Sequence, residues 1–379
     1  MFRQLRRIMG REFLYLWRDS GLRRILLLAS LLGLFLFFGI YSTQVLKDIP
    51  TAVVDLDGSA ASGELVRSLG AAENLKITSY PDNYDDLQEM VKRGETVVGV
   101  VIPENFGKNT ALGRQTNILV AVDTSNMVYA TNAGGAVLTT ARTMGAKAGV
   151  KTLIAKGVHP LEAAEAFQGV NFHEQAWFNP TLNYAHFMVL GLALNIWQQC
   201  CTLTAAANVV GERKMSSWHQ VKASGVSKLR FFLGKSAVHI FVFMALVLPI
   251  FALAFGPMGL PLKSDPMMLL AFTLVFALSL HGLGTMMSSI AKDAVDAARF
   301  GMIIALPSFV ISGYTWPLEA MPGILQKLAW LLPQTWFFQG INYLTFKNPG
   351  WGYMSQYFYA LLIIALICYG VSTAVVSRY

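Results

Sequence analysis

Charge is scarce in this chain. Only 14 % of its 379 residues are Asp, Glu, Lys or Arg, and 54 % are hydrophobic. Ordinary soluble domains carry about 25 % charged residues. The deficit excludes an ordinary soluble protein and points to a membrane protein. Cysteine is scarce too: Cys200, Cys201 and Cys368 all lie in apolar runs, so no disulfide framework holds the water-soluble part. A nucleotide-binding loop is missing. Gly234-Lys235-Ser236 has the ending of one, but the glycine required five residues earlier is Leu229. "NFGKNT", residues 105–110, fails in the same way, with Ile102 at that place. ATP binding by this chain is therefore not expected, and neither is any cofactor of its own. His, Asp and Glu show no tight metal-ligand spacing, so neither a metal site nor a catalytic residue is expected. The basic residues do not gather on a soluble segment, which argues against nucleic acid as a partner.

What charge there is falls unevenly. The formal net charge is +8, yet residues 45–182 hold 11 Lys/Arg and 15 Asp/Glu. The remainder is strongly basic, as suits segments lying against an anionic membrane surface. Six stretches approach the roughly 20 apolar residues that a spanning helix needs. They are Ile25–Tyr41, Asn183–Val210, Phe231–Phe255, Met267–Ile290, Ala294–Ser312 and Tyr353–Val376. Seven arginines precede the first, and residues 211–235, from the end of the second into the start of the third, hold six Lys/Arg. By the positive-inside rule both termini are cytoplasmic, and residues 45–182 lie outside. The first span follows a long basic region and precedes no small-x-small site, so an uncleaved anchor is expected rather than a signal peptide.

Residues 2–20 carry Phe2, Leu5, Met9, Phe13 and Leu16 at helical spacing, with Arg6, Arg7 and Arg11 largely elsewhere. This predicts an amphipathic helix in the cytoplasmic interface, either a plain anchor or a docking surface for a partner. Between residues 45 and 182 strand-like runs ("TAVVDLD", "LKITSY", "TVVGVVIP", "TNILVAVD") alternate with helical ones, which predicts an α/β domain. Ser59 is a plausible helix cap. Residues 125–156 read as a long helix or a pair broken at Gly134-Gly135. Asp55 and Asp57 in "VVDLDGS" suit a turn better than a metal site.

Three stretches resemble the ABC-2 type transporter permeases, and most closely the bacterial multidrug-type exporters with a large extracytoplasmic domain after the first span. The first is "GERKMSSWHQVKASGVSKLRFFLGK", residues 211–235, in which Glu212, Arg213, Ser224, Gly234 and Lys235 match the family pattern. The second is "LPSFVISGYTWPLEAMPGILQKLAWLLPQTWF", in which Pro307, Ser308, Ser312, Gly313, Pro317, Met321, Pro322 and Pro333 match. The third is the pair of strand ends "VVDLDGSAASGELV" and "VAVDTSN". Departures are Ser216-Ser217 for Gly-Thr, Gly225 for Pro and Leu190 for Pro.

The resemblance implies an α-helical membrane protein of the ABC-2, or type V exporter, kind. Its parts would be an interfacial helix (residues 1–21), a first span (22–44), an inserted extracytoplasmic α/β domain (45–182) and five further spans (183–379). It also implies a cytoplasmic coupling loop at 211–235 and an extracytoplasmic re-entrant hairpin at 314–348. On this reading the chain is not an enzyme. ATP and Mg would be bound by two copies of a separate cytoplasmic ATPase subunit. The second permease half would be another copy or a paralogue, and a periplasmic adaptor is a further possible partner beside the lipids of the bacterial inner membrane. Glu212, Arg213, Lys214, Trp218 and Lys222 would couple to the ATPase, with Trp218 as a pocket anchor. Lys235 would sit at the headgroups where span 3 starts. Candidates for the substrate path are the in-span polar groups Asn195, Gln198, Gln199 and His281, with Tyr314 and Trp316 of the hairpin. The plain reading of these groups is hydrogen bonding between helices. The substrate would be amphipathic, drug-like or lipid-like. The rival reading is a scaffold or receptor with the same one-plus-five layout and no ATPase, which would not need a charged loop at 211–235.

Overall fold

The computed structural model describes residues 2–43, 46–166, 177–179, 183–214, 223 and 225–376. The chain forms two compact units, one of Met1–Ser42 with Trp177–Tyr379 and one of Thr43–Ala176.

In the first unit six helices are, among the described residues, long and apolar enough to cross a membrane. Spans 1 to 6 are Ser20–Ile40, Tyr184–Arg213, Arg230–Phe255, Pro266–Ile290, Ala294–Ile311 and Trp351–Val376. Their beginnings are written in short polar side chains. Asn183, Ser227, Asp265 and Asp293 each accept a backbone N–H at the helix start. Asp19 does the same for Gly21 and Leu22, at 2.9 and 3.0 Å, which separates the amino-terminal helix Phe2–Arg18 from span 1. Span 2 is interrupted at Ala207, so that Asn208–Lys214 forms its own short helix. The helix of span 3 begins at Lys228, capped by Ser227.

Span 4 lies at the heart of this unit, packed against spans 2 and 6. A Cβ on Gly284 would stand 2.9 Å from the Ala205 carbonyl carbon. That neighbour is backbone and cannot swing away, so spans 2 and 4 touch through glycine, as membrane helices often do. Aromatic rings fill the space around them. Trp197 is fully buried and donates its Nε1–H to the Phe243 carbonyl at 3.0 Å. Phe276 stacks on Phe337 with ring centres 3.8 Å apart.

Phe337 belongs to the segment between spans 5 and 6. That segment holds two short helices, Gly323–Trp330 and Pro333–Asn342. The second is buried through Pro333, Gln334, Thr335, Phe337, Phe338 and Ile341. The first keeps Ile324 and Leu328 exposed. Half of this hairpin is therefore core, which explains why its prolines and aromatics alternate so densely.

The second unit is a four-stranded sheet in the order β2-β1-β3-β4, with β1 Ile49–Asp55, β2 Leu75–Ser79, β3 Val98–Ile102 and β4 Leu119–Val122. β1 runs parallel to β2 and β3, and β4 is antiparallel to β3. β1 and β3 are buried on both faces, which is why they read as continuous Val/Ile runs. Ser59 caps the helix Ala60–Gly70 by accepting the Ser62 N–H at 3.2 Å. Residues Met127–Ala155 form one continuous helix of 29 residues. Gly134-Gly135 does not break it, since neither glycine adopts a left-handed backbone. Asp55 and Asp57 serve the turn after β1. Asp55 accepts the N–H groups of Asp57 and Gly58, and Asp57 accepts that of Gly107 at 2.9 Å.

Candidate functional site

The amino-terminal helix meets span 3 along a four-residue step. Arg230 donates to the Gln4 side-chain oxygen at 3.1 Å. One turn on, Gly234 faces Ile8, where a Cβ would lie 2.6 Å from Ile8 Cγ2. One turn further, Lys235 and His239 reach Glu12. The buried face of the helix carries Glu12 and Leu16, with Met9 packed against the same core, while Phe13 and Trp17 remain about half exposed. The expected apolar face of Phe2, Leu5, Met9, Phe13 and Leu16 is therefore split. The Phe2 side chain lies outside the described residues.

Lys235 is 1 % exposed. Its ammonium donates to Glu12 Oε2 at 2.6 Å and to Glu212 Oε1 at 2.8 Å. Glu12 also accepts from His239 Nε2 at 2.8 Å, and Glu212 pairs with Arg11 through its other oxygen. A buried charge without partners is strongly destabilising, so this cluster fixes three elements together: the amino-terminal helix, the helix Asn208–Lys214 and span 3. Burial works against ionisation of Glu12, but Lys235 and His239 outweigh it and hold its carboxyl at about 2. Burial, with Asp19, Glu12 and Glu212 nearby, pushes the Tyr15 phenol up to about 12.

Lys235 is held by protein carboxylates on two other helices. The helix of span 3 starts seven residues earlier, at Lys228, so Lys235 lies two turns inside it. The helical start also shortens the expected 211–235 loop, because residues 208–214 and 228–235 are helical. Glu212 and Arg213 both bond to neighbouring helices. Arg213 donates to the carbonyls of Ala291 and Ser289 at 3.0 and 2.9 Å, closing the carboxyl end of span 4. Breaking span 2 at Ala207 frees the N–H groups of Val209 and Val210. Both donate to Ser288 Oγ, at 2.9 and 3.1 Å. Asn208 donates to Thr285 Oγ1 at 3.1 Å and lies 3.4 Å from His281 Nε2. The helix Asn208–Lys214 is thereby attached to span 4 through Asn208, Val209, Val210 and Arg213.

His281 belongs to this polar layer, apart from the other expected path residues. Its Nδ1 lies 2.7 Å from the Tyr369 hydroxyl and 3.2 Å from Ser236 Oγ, joining spans 3, 4 and 6. Every residue of Gly-Lys-Ser is thus used in packing or bonding. Gly234 admits Ile8, Lys235 holds two carboxylates, and Ser236 reaches His281 and Tyr369.

Asn195, Gln198 and Gln199 do come together. Asn195 Oδ1 accepts from both glutamines at 3.1 Å. Gln198, fully buried, also donates to the Ala305 carbonyl at 3.2 Å and accepts from Gln334 at 3.2 Å. Gln334 was not anticipated from sequence; it sits in the buried half of the hairpin with Oε1 unpartnered among the described residues. Tyr314 is buried and donates its hydroxyl to the Phe187 carbonyl at 2.5 Å, against Gly191. Trp316 is 59 % exposed and joins none of these groups. Arg6 and Arg7 are exposed. Trp218, Lys222 and the Lys214 side chain lie outside the described residues. Gly225 has φ +64°, which proline cannot adopt, so this turn differs in backbone from one built on the family's proline.

Beside the ion cluster an open cleft of about 620 Å³ is lined by Arg11, Leu14, Tyr15, Arg18, Asp19, Gly211 and Glu212.

Six spanning helices, a polar layer between spans 2, 3, 4 and 6, and a buried ion cluster binding two accessory helices to them define a multi-pass helical membrane protein. A family model described as "ABC-2 family transporter protein" matches residues 24–374, and the chain belongs to that family. Among curated relatives it is 24 % identical to the probable multidrug ABC transporter permease YbhR of Escherichia coli, over 88 % of this chain and 87 % of that one. It is 24 % identical to the inner membrane transport permease YhhJ of E. coli, over 83 % and 81 %. It is 23 % identical to the linearmycin resistance permease protein LnrN of Bacillus subtilis, over 88 % and 89 %.

Proposed function

We propose that this chain is the permease subunit of an ABC exporter that moves an amphipathic, drug-like or lipid-like molecule outward, using ATP hydrolysed by a separate ATPase subunit. Family membership supports the permease role, and the relatives named for multidrug transport and linearmycin resistance support the substrate class. The observation that carries the mechanism is the Lys235 cluster. A push on Asn208–Lys214 passes to span 3 through Glu212 and Lys235, to the amino-terminal helix through Glu12, and to span 4 through Ser288 and Arg213. Glu212 and Arg213 act on this reading as internal linkage. The cleft at Arg11 and Arg18, with the 215–227 segment carrying Trp218 and Lys222, receives the ATPase.

In this proposal both termini are cytoplasmic, the amino-terminal helix with Arg6 and Arg7 lies in the inner interface, and the α/β unit lies outside, where it serves an adaptor or the exit. Two ATPase copies and a second permease chain, identical or paralogous, complete the transporter. Asn195, Gln198, Gln199 and Tyr314 flank the substrate path, with Trp316 at its exposed edge. Affinity purification of the tagged native complex tests the reading. An ATP-hydrolysing subunit co-purifies if it is right. A chain that purifies alone from its native membrane, or hydrolyses nucleotide alone, refutes it in favour of an ATPase-free scaffold or an enzyme.

A further inference from the structure

The α/β unit contains a cleft that its fold does not use. Helices Ala60–Gly70, Phe106–Ala111 and Met127–Ala155 enclose a space of about 310 Å³. A second space of about 130 Å³ adjoins it, since Thr110, Met144 and Ala148 line both. The cleft exists because the residues facing it are small. Ala141, Gly145, Ala148 and Thr152 follow one another at helical spacing on the long helix, opposite Ala61 and Gly107. The smaller space is mostly apolar, with Leu65 and Phe106 buried, Ile118 and Met144 half-buried, and Thr110 and Thr116 as its hydroxyl-bearing residues.

The wider space is different in character. Lys147 and Lys151, one turn apart, line it together with Glu64. Among the described residues, the ion pairs of this unit join Lys47 to Glu73 and Glu89 to Lys92 and Arg93. Lys147 and Lys151 belong to none of them. Two cations and one anion leave the mouth with one excess positive charge, within a segment whose overall charge is negative. An apolar end and a singly positive mouth match one chemical class.

We propose that this cleft binds an amphipathic monoanion, a medium-chain alkyl carboxylate, with its headgroup at Lys147 and Lys151 and its tail toward Leu65, Phe106 and Met144. The combined volume reaches the lower range of ligand clefts, which begins at about 300 Å³, and so suits a medium-length chain rather than a long one. The site is independent of the transport reading above.

Calorimetric titration of octanoate into the full chain in phosphatidylcholine nanodiscs, corrected with empty discs, tests the proposal. Octanoate binds saturably, and octanol binds at least about tenfold more weakly, because a charge-assisted contact contributes that much. The exposed double substitution Lys147→Gln/Lys151→Gln weakens octanoate by about tenfold, while Glu64→Gln tightens it, because a like charge is removed. The opposite signs separate a headgroup site from loss of fold. Equal binding of octanoate and octanol, or no change on Lys147→Gln/Lys151→Gln, overturns the assignment.

Discussion

Lys235 is the residue on which the largest single effects are expected. Its removal leaves Glu12 and Glu212 facing each other without a shared cation. Breaking a buried pair from one side costs about 3–5 kcal/mol, so Lys235→Met is expected to lower the thermal midpoint of the purified chain sharply. Neutralising all three, as Glu12→Gln/Glu212→Gln/Lys235→Met, removes the charge imbalance and is expected to restore most of that loss. Equal destabilisation by the single and triple substitutions, read by thermal denaturation in one detergent, contradicts this. Glu12 also sets an acid limit. Its carboxyl falls from an ordinary 4.5 to about 2 in the folded chain. The unfolded chain therefore binds the proton first, and the stabilisation is complete above pH 4.5 and lost as pH falls toward 2, about 3 kcal/mol in all. A stability profile from pH 2.5 to 7 should slope in that window, and Glu12→Gln should flatten it.

At the scale of elements, the short helix Asn208–Lys214 is held by span 4 more than by its own length. Seven residues are too few for a stable helix alone. Ser288→Ala leaves the buried N–H groups of Val209 and Val210 without their shared acceptor, at about 1–3 kcal/mol. Hydrogen exchange at residues 208–214 should then quicken while span 4 itself stays protected; unchanged protection there contradicts the attachment. Much of the architecture was legible at this scale. Spans are long apolar runs, strands are alternating or continuous Val/Ile runs, and caps such as Ser59 are local chemistry. The break at Ala207 was not legible, because Asn208 and the two valines of "TAAANVV" disfavour helix only weakly and the acceptor, Ser288, is 79 residues from Val209. Glu12 was partly legible. It is the lone acidic residue in the first 18, and it stands four residues from Ile8 and from Leu16. A carboxylate on that face needs a buried cation, and Lys235 opens a long apolar run. Joining the two required knowing that the amino-terminal helix lies along span 3, which sequence spacing does not encode.

For the whole molecule, the central claim is that force from a partner ATPase enters through the elements gathered at Lys235. The polar layer beyond it, from Asn208 and His281 to Ser236 and Tyr369, ties spans 2, 3, 4 and 6 at the same level. A displacement of one accessory helix would then reorient several spans together instead of bending one. The glutamine cluster around Gln198 lies on span 2 and reaches span 5 and the hairpin, so it would feel that reorientation.

The most direct measurement compares ATP hydrolysis with ATP-driven uptake of a fluorescent amphipathic drug in inside-out vesicles, for the wild-type complex and the complex carrying Glu12→Gln/Glu212→Gln/Lys235→Met. The account predicts an assembled complex that still hydrolyses ATP but accumulates little drug. Drug uptake per ATP equal to wild type in the triple variant would contradict it.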